Sequence, residues 1–232
     1  MPIRIKRLDG GLAVFMRGEP VRTPLETPII SRHRPLLEEI VRDIRLFGPD
    51  PVGTLSMLSL QASYLDFGLP TPRTDLERGL AVGLETDAFL SRPPSRVLRS
   101  QAETCFGPTT FDPAAWRQQL QGFGVRQLIG VVMSATHFGS AILGTRLLAG
   151  RLPPSLLALG ICARHLRYLA LRQGGSEEDV PPHAFEPPVP DTAYCDGFCC
   201  SSQDDRFALF TRRCRVFDLL GKLQRFAAYP EE

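Results

Sequence analysis

Residues 11–24, GLAVFMRGEPVRTP, decide how the N-terminal end of this chain folds. Apolar side chains alternate in direction along Leu12–Met16, which is the period of a β-strand that turns one face to a core. Arg17-Gly18 follows directly, and a two-residue hairpin turn needs positive φ angles that glycine adopts without steric cost. The stretch therefore predicts a β-hairpin.

The rest of the N-terminal region has the composition of short strands and turns. The three prolines between residues 20 and 28 each remove a ladder donor, which suits edge strands and turns. A second short hairpin is predicted around Leu25-Glu26, and it leads to Ile29-Ile30. We expect a small β domain over residues 1–31.

After the β domain the apolar residues recur at helical spacing. Ser31 is predicted to cap the first helix, and Gly48-Pro49 is predicted to end it. Charged residues occupy the opposite face, as in an amphipathic helix that covers a core. The apolar stripe of this helix consists of Leu36, Leu37, Ile40, Val41 and Ile44.

Five further helices are predicted before residue 175. One begins at a capping box in which Thr74 and Glu77 satisfy exposed amides reciprocally. Another begins at Asp112-Pro113, a cap followed by a first-turn proline. Val125–Val132 is predicted as a short strand or extended segment. The remaining helices are predicted at residues 54–67, 134–149 and 154–172.

These patterns predict an α+β fold with a C-terminal extension. Residues 176–190 contain five prolines and four acidic residues, which is the composition of an extended linker. The predicted organisation is a small N-terminal β domain at 1–31, a mainly α-helical domain at 32–175, a Pro-rich linker at 176–205 and a basic amphipathic helix at 206–232.

Composition excludes several classes of function. The 232 residues carry a net charge of +2, so no global field attracts nucleic acid. No window is apolar enough for a membrane helix, and residues 1–12 lack the apolar run of a secretory signal. There is no phosphate-binding loop or dinucleotide fingerprint. The histidines, His33, His137, His165 and His183, lie outside any nucleophile motif. We expect no cofactor and no catalytic site.

Cysteines cluster near the C-terminal end. Cys195, Cys199, Cys200 and Cys214, with His183 upstream, could bind a metal ion as soft ligands. The paired Cys-x2-Cys spacing of zinc sites is absent. Free thiols are the favoured interpretation, with one disulfide or a metal site as alternatives. No metal site is predicted.

The C-terminal helix is strongly basic next to an apolar stripe, and Asp218 is the one acidic residue of its basic run. One interpretation is an ordinary amphipathic helix packed on its own domain. The other, which we adopt as the prediction, is a docking element for an acidic protein partner or an anionic lipid surface. Its predicted partner-binding residues are Phe207, Phe210, Arg213, Phe217 and Leu220.

Five segments in one order carry a resemblance to a known family. The chain resembles the ATP synthase assembly chaperones that hold the alpha subunit of the catalytic head. The segments are residues 11–24, Met57–Asp66, Leu84–Arg92, Phe111–Trp116 and Phe123–Val125. The resemblance covers residues 3 to 175, and it implies a small β domain, a helical domain, a mitochondrial matrix location and a chaperone without ATPase activity.

Two differences from the family bear on function. About one helix of the family is missing between Val132 and His137. The family's last helix carries an acidic patch linked to its chaperone role, whereas residues 163–168 are basic here. We expect this reversal to remove the old client site, and we include Arg164 and Arg167 among the candidate partner-binding residues.

Three functions follow as hypotheses. The first is a permanent structural subunit of a mitochondrial energy-converting complex, with ATP synthase the first choice and protein subunits of that complex as partners. The C-terminal segment, which the family plan lacks, favours this hypothesis, because a linker followed by an amphipathic helix is a recurrent anchor. The second is a working chaperone that binds the alpha subunit transiently. An enzyme is third.

Overall fold

The computed structural model describes residues 3–49, 55–84, 87, 111–138, 140–151 and 203–231, with the side chains of the last range from residue 216 on. The predicted helix at 154–172 lies outside the described residues, as does nearly all of the predicted linker at 176–205. The boundaries of the domains in this part of the chain therefore stay predictions.

The N-terminal residues form a small antiparallel sheet around β2. The strands are β1 (Ile3–Leu8), β2 (Gly11–Met16), β3 (Glu19–Pro20) and β4 (Ile30–Ser31). β1 pairs with one side of β2 along its whole length, and β3 and β4 pair with the other side.

The turn between β2 and β3 has the predicted geometry. Arg17 and Gly18 both have positive φ, 56° and 94°. Two successive positive φ angles are the signature of the type I′ turn, whose twist matches that of the strands it connects. The predicted hairpin is confirmed, and the chain is α+β.

Helix α1 (Arg34–Phe47) covers the inner face of this sheet. The predicted apolar stripe is buried, and it shares one core with Val14 of β2, while Leu12 lies at the rim of that core. The prediction of a cap at Ser31 is wrong, because Ser31 ends β4 and its hydroxyl accepts the amide of His33. Gly48, at φ 90°, follows the last helical residue.

Helix α2 (Met57–Ser63) is followed by a π-helical turn at Tyr64–Gly68, and α3 covers Arg73–Gly83. Ser56 and Ser59 form a capping box at the start of α2. The box predicted for α3 does not form, because the helix begins at Arg73 and Thr74 therefore lies inside it. Glu77 instead accepts a hydrogen bond from Arg73 Nε at 2.7 Å.

Helix α4 (Pro113–Gln121) begins as predicted, with the Asp112 carboxylate accepting the amide of Ala114 at 2.8 Å. The predicted strand at Val125–Val132 is wrong, since α5 spans Val125–Phe138. A short apolar run does not distinguish a strand from a helix that is buried on several sides. The helix predicted at 134–149 is likewise divided between α5 and α6 (Ala141–Leu148), and Ser140 caps α6.

Helices α5 and α6 cross very closely. A Cβ atom placed on Gly144 would lie 2.5 Å from Cβ of Ser134, so this position requires glycine. Together with α3 and α4 the two helices enclose a second apolar cluster, in which Trp116 Nε1 donates to Thr145 Oγ1 at 3.0 Å.

The last element is α7 (Gln203–Ala228). Its second half packs against α2, α5 and α6, and Leu220, Leu223 and Phe226 are 0% exposed within the first core. This differs from the expected helix held away from the body on a linker. Among the described helices, none is long and apolar enough to cross a membrane.

Candidate interaction surface

A buried ion pair holds α7 against α1. Lys222 Nζ donates to Asp43 Oδ1 at 2.9 Å, and Asp43 Oδ2 accepts the amide of Met57 at 2.6 Å. Both charged side chains are buried. Because a buried charge without its partner is strongly destabilising, each requires the other in the folded chain. A basic residue of the predicted docking helix is therefore used inside the molecule.

The end of α7 makes a second set of polar contacts with α1. Arg225 Nε lies 3.0 Å from Glu39 Oε2, and the Tyr229 hydroxyl donates to the same carboxylate at 3.4 Å. Burial, and next the Glu39 carboxylate, raise the pKa of Tyr229 above its usual value. The basic side chains on this half of α7 thus meet acids of the chain itself, and the expected contact with an anionic lipid surface is not supported.

Arg126 joins three parts of the fold from inside the core. Its guanidinium lies 4.0 Å from the ring centroid of Tyr64 and 5.2 Å from that of Phe226. It also donates to Gln61 Oε1 at 2.8 Å and to the carbonyl of Pro230 at 3.2 Å. A charged residue within the apolar run 125–133 is the sequence signal for this role, and Arg126 was not among the predicted site residues.

Exposed apolar side chains lie at the end of α1 and on α7. Leu46, Phe47 and Phe217 are each more than half exposed, and we call them the seam patch. Phe47 lies next to the buried ion pair, with Lys222 Nζ 5.5 Å from its ring centroid. Phe217 lies five residues before Lys222 on α7. Of the predicted partner-binding residues with described side chains, Phe217 is available on the surface.

A second set of exposed apolar side chains lies on the loop between β3 and β4 and on the turn that follows α2. Leu25, Phe67 and Leu69 are each more than half exposed, and we call them the hairpin patch. The buried carboxylate of Asp66 holds the two segments together, since it accepts the Thr23 hydroxyl at 2.6 Å and the Leu25 amide at 3.3 Å. The patch is therefore carried by a π-helical turn and a fixed loop.

The remaining predicted site residues divide into two groups. Leu220 lies in the core and is not accessible to a partner while α7 packs on the other helices. The others lie outside the side chains that the structure describes, although three of them fall on the backbone of α7. These others are Phe207, Phe210, Arg213, Arg164 and Arg167.

The buried acids of the described chain have structural partners. Asp87 accepts the amides of Ala141 and Ile142 at 2.7 and 3.2 Å, which places it at the start of α6. Asp43 and Asp66 bind backbone amides in the same way. Among the described residues, no three His, Cys, Asp or Glu side chains are grouped so that they could hold a metal ion. The predicted cysteine cluster and His183 lie outside the described side chains.

No protein-family model and no curated protein matches this sequence. Solved structures do match. Atp12 from Paracoccus denitrificans aligns with a TM-score of 0.53 at 19% identity, over 95% of this chain and 96% of its own, and a variant of the same protein aligns with a TM-score of 0.52. A protein of Agrobacterium tumefaciens whose proposed role is that of a chaperone aligns with a TM-score of 0.54 at 17% identity, over 95% of this chain and 84% of its own.

This chain has the Atp12 fold. The resemblance that five sequence segments predicted is thereby confirmed at the level of fold. The coverage also corrects one expectation. A match over 95% of the 232 residues cannot be confined to residues 3–175, which carry the sequence resemblance. The expectation of a C-terminal segment outside the family plan is therefore not supported.

Proposed function

We propose that this protein is an assembly chaperone of ATP synthase, without enzymatic activity, that binds the alpha subunit of the catalytic head transiently. The observation that supports this most is the alignment with Atp12 over nearly the whole of both chains. The family resemblance of the sequence supplies the client, and the structural match supplies the fold.

The surface of the described residues suits a protein that binds another protein. The seam patch and the hairpin patch each place three large apolar side chains in solvent. Exposed apolar side chains mark an interaction site when they lie close together, and the Asp66 hydrogen bonds hold the Leu25 loop beside the turn that carries Phe67. An unassembled subunit also exposes apolar surface, so contact between the two would keep that surface from aggregating. We therefore assign client contact to one or both patches.

We favoured the function of a permanent subunit from the sequence, but the two observations on which that hypothesis rested no longer support it. One was a C-terminal segment beyond the family plan, and the alignment with Atp12 covers 95% of this chain, which is more than residues 3–175. The other was a docking helix held away from the body, and the described half of α7 packs into the body. Both observations favour transient binding.

The mitochondrial location and the loss of the family's acidic client site stay predictions. The matching structures come from bacteria, so the fold alone does not imply the mitochondrial matrix. The basic residues 163–168, where the family is acidic, lie outside the described residues. Binding through the patches would let the chaperone work without that acidic helix.

Aggregation of the purified alpha subunit from the same organism tests the proposal. We expect the wild-type protein to suppress aggregation at equimolar concentration and to be absent from the mature complex on a native gel. Replacing two anchors of one patch, as in Phe47→Ser with Leu46→Ser or Phe67→Ser with Leu25→Ser, should weaken binding about tenfold.

Val82→Ser is the matched control, because Val82 is also an exposed apolar residue but belongs to neither patch. Its binding should equal that of the wild type. If both double variants bind the alpha subunit normally, the patches are not the client surface. If the wild-type protein co-migrates stoichiometrically with the mature complex, the subunit function is correct and the chaperone function is wrong.

A further inference from the structure

Strand β1 lies at the edge of the sheet that the structure describes. It pairs with β2 over six residues, from Ile3 opposite Met16 to Leu8 opposite Gly11. The other side of β2 is taken by β3 and β4. Among the residues that the structure describes, no strand pairs with the outer side of β1. An edge of this length is a template for a further strand.

The hydrogen bonds of Val14 show which groups of β1 face outward. Its amide donates to the carbonyl of Ile29 at 3.3 Å, and its carbonyl accepts the amide of Val21 at 2.8 Å. Both groups thus point away from β1, so Val14 and Ile5 form a non-hydrogen-bonded pair. The amide and carbonyl of Ile5 consequently face the open edge. By the alternation of an antiparallel ladder, those of Ile3 and Arg7 do so too.

The side chains around this edge are basic. Ile3 and Ile5 pack on the core, whereas Arg4, Lys6 and Arg7 are exposed. In the described parts of the chain none of these three cations has an ion pair within 4.0 Å; Lys6 lies over the ring of Phe15, with its Nζ 5.2 Å from the centroid. Arg4 and Lys6 share the outer face of the sheet, since they lie two residues apart on one strand.

We propose that the outer edge of β1 binds an extended acidic segment of a partner protein, which adds to the sheet as a further strand. The outward amides and carbonyls of Ile3, Ile5 and Arg7 supply the ladder. Acidic side chains at every second position of the segment meet Arg4 and Lys6, which selects an acidic strand over other extended peptides. The proposal does not depend on the alpha subunit as client.

A synthetic peptide of alternating Glu and Val, fluorescently labelled and titrated with the full-length protein, tests the proposal by anisotropy. The same peptide with Lys in place of Glu should not bind. The double variant Arg4→Glu with Lys6→Glu should weaken binding of the Glu peptide at least about tenfold. The double variant Arg42→Glu with Arg45→Glu, an equal charge change on exposed residues of α1, should leave binding within about twofold.

Position 7 separates strand addition from attraction of charge alone. Arg7→Pro and Arg7→Ala both remove the charge, but only Arg7→Pro also removes the outward amide. Proline is tolerated on an edge strand whose amide faces solvent, so Arg7→Pro should remain folded by circular dichroism. We expect it to bind the Glu peptide at least about fivefold more weakly than Arg7→Ala.

Equal binding by Arg7→Pro and Arg7→Ala would overturn the added strand, and equal binding of the Glu and Lys peptides would overturn the role of charge. Absence of binding by the wild-type protein would show that the basic side chains only protect the edge from aggregation. Each of these results leaves the aggregation assay with the alpha subunit unaffected, so the two proposals are tested separately.

Discussion

The three basic side chains of β1 are exposed, whereas the two basic side chains on the described half of α7 lie against acids of α1. The residue types are the same, and the surroundings decide their use. α7 packs antiparallel to a helix that presents Asp43 and Glu39, whereas no acid among the described residues pairs with the cations of β1. Basic residues become a binding surface only where the chain's own fold provides no acid to pair with them.

Removing α7 should lower the stability of the protein most. Deletion of residues 203–232 removes Leu220, Leu223 and Phe226 from the core and exposes the apolar surface against which they pack. Burial of each side chain stabilises the fold by about 1.5–3 kcal/mol. We expect loss of cooperative thermal unfolding and strong binding of a hydrophobic dye. A truncated protein that still unfolds cooperatively would show that α7 is an accessory.

Breaking the buried ion pair between Asp43 and Lys222 should cause the next largest loss of stability. Asp43→Ala leaves Lys222 buried without its carboxylate and the Met57 amide without its acceptor, so it should lower the free energy of unfolding by about 3–5 kcal/mol. Chemical denaturation measures this. The control Glu38→Ala, which breaks an exposed pair with Arg34 on the same helix, should change stability by less than about 1 kcal/mol. Similar losses in both variants would mean that the two contacts are equivalent.

Tyr229 is expected to have a smaller effect on stability, which is seen at alkaline pH. Burial and the nearby Glu39 raise the pKa of Tyr229 in the folded chain, so the unfolded chain loses this proton first. The stability that the neutral phenol provides is therefore complete below its unfolded pKa of about 10. It falls as the pH rises through the higher folded value. Tyr229→Phe should flatten the fall in melting temperature above about pH 10, and an unchanged slope would contradict the coupling.

The smallest effect is expected on β1. Replacing Arg4 and Lys6 by Gln removes exposed charges without ion pairs, so the free energy of unfolding should change by less than about 0.5 kcal/mol. Denaturation of the double variant, next to Asp43→Ala, measures the contrast between the two regions directly. A loss of more than about 2 kcal/mol would show that these charges stabilise the fold and are not free for a partner.

Expectations that rested on neighbouring residues were mostly correct. The hairpin turn at Arg17-Gly18, the stripe of α1 and the cap at Asp112 follow from φ preferences, periodicity and one side-chain hydrogen bond, all within a few residues. The strand predicted at Val125–Val132 failed for a physical reason. Apolar residues surround α5 on several sides, and burial on several sides removes the period that would identify a helix.

By itself the sequence determined the α+β class, the hairpin, most helix positions and the resemblance to the assembly chaperones, because each depends on local geometry or ordered motifs. Tertiary structure alone decided the place of α7 and the use of its charges. Lys222 and Asp43 are 179 residues apart, and no periodicity within either helix specifies that they meet. A basic amphipathic helix has the same pattern whether it packs on its own body or on another protein, since only the surface opposite it differs.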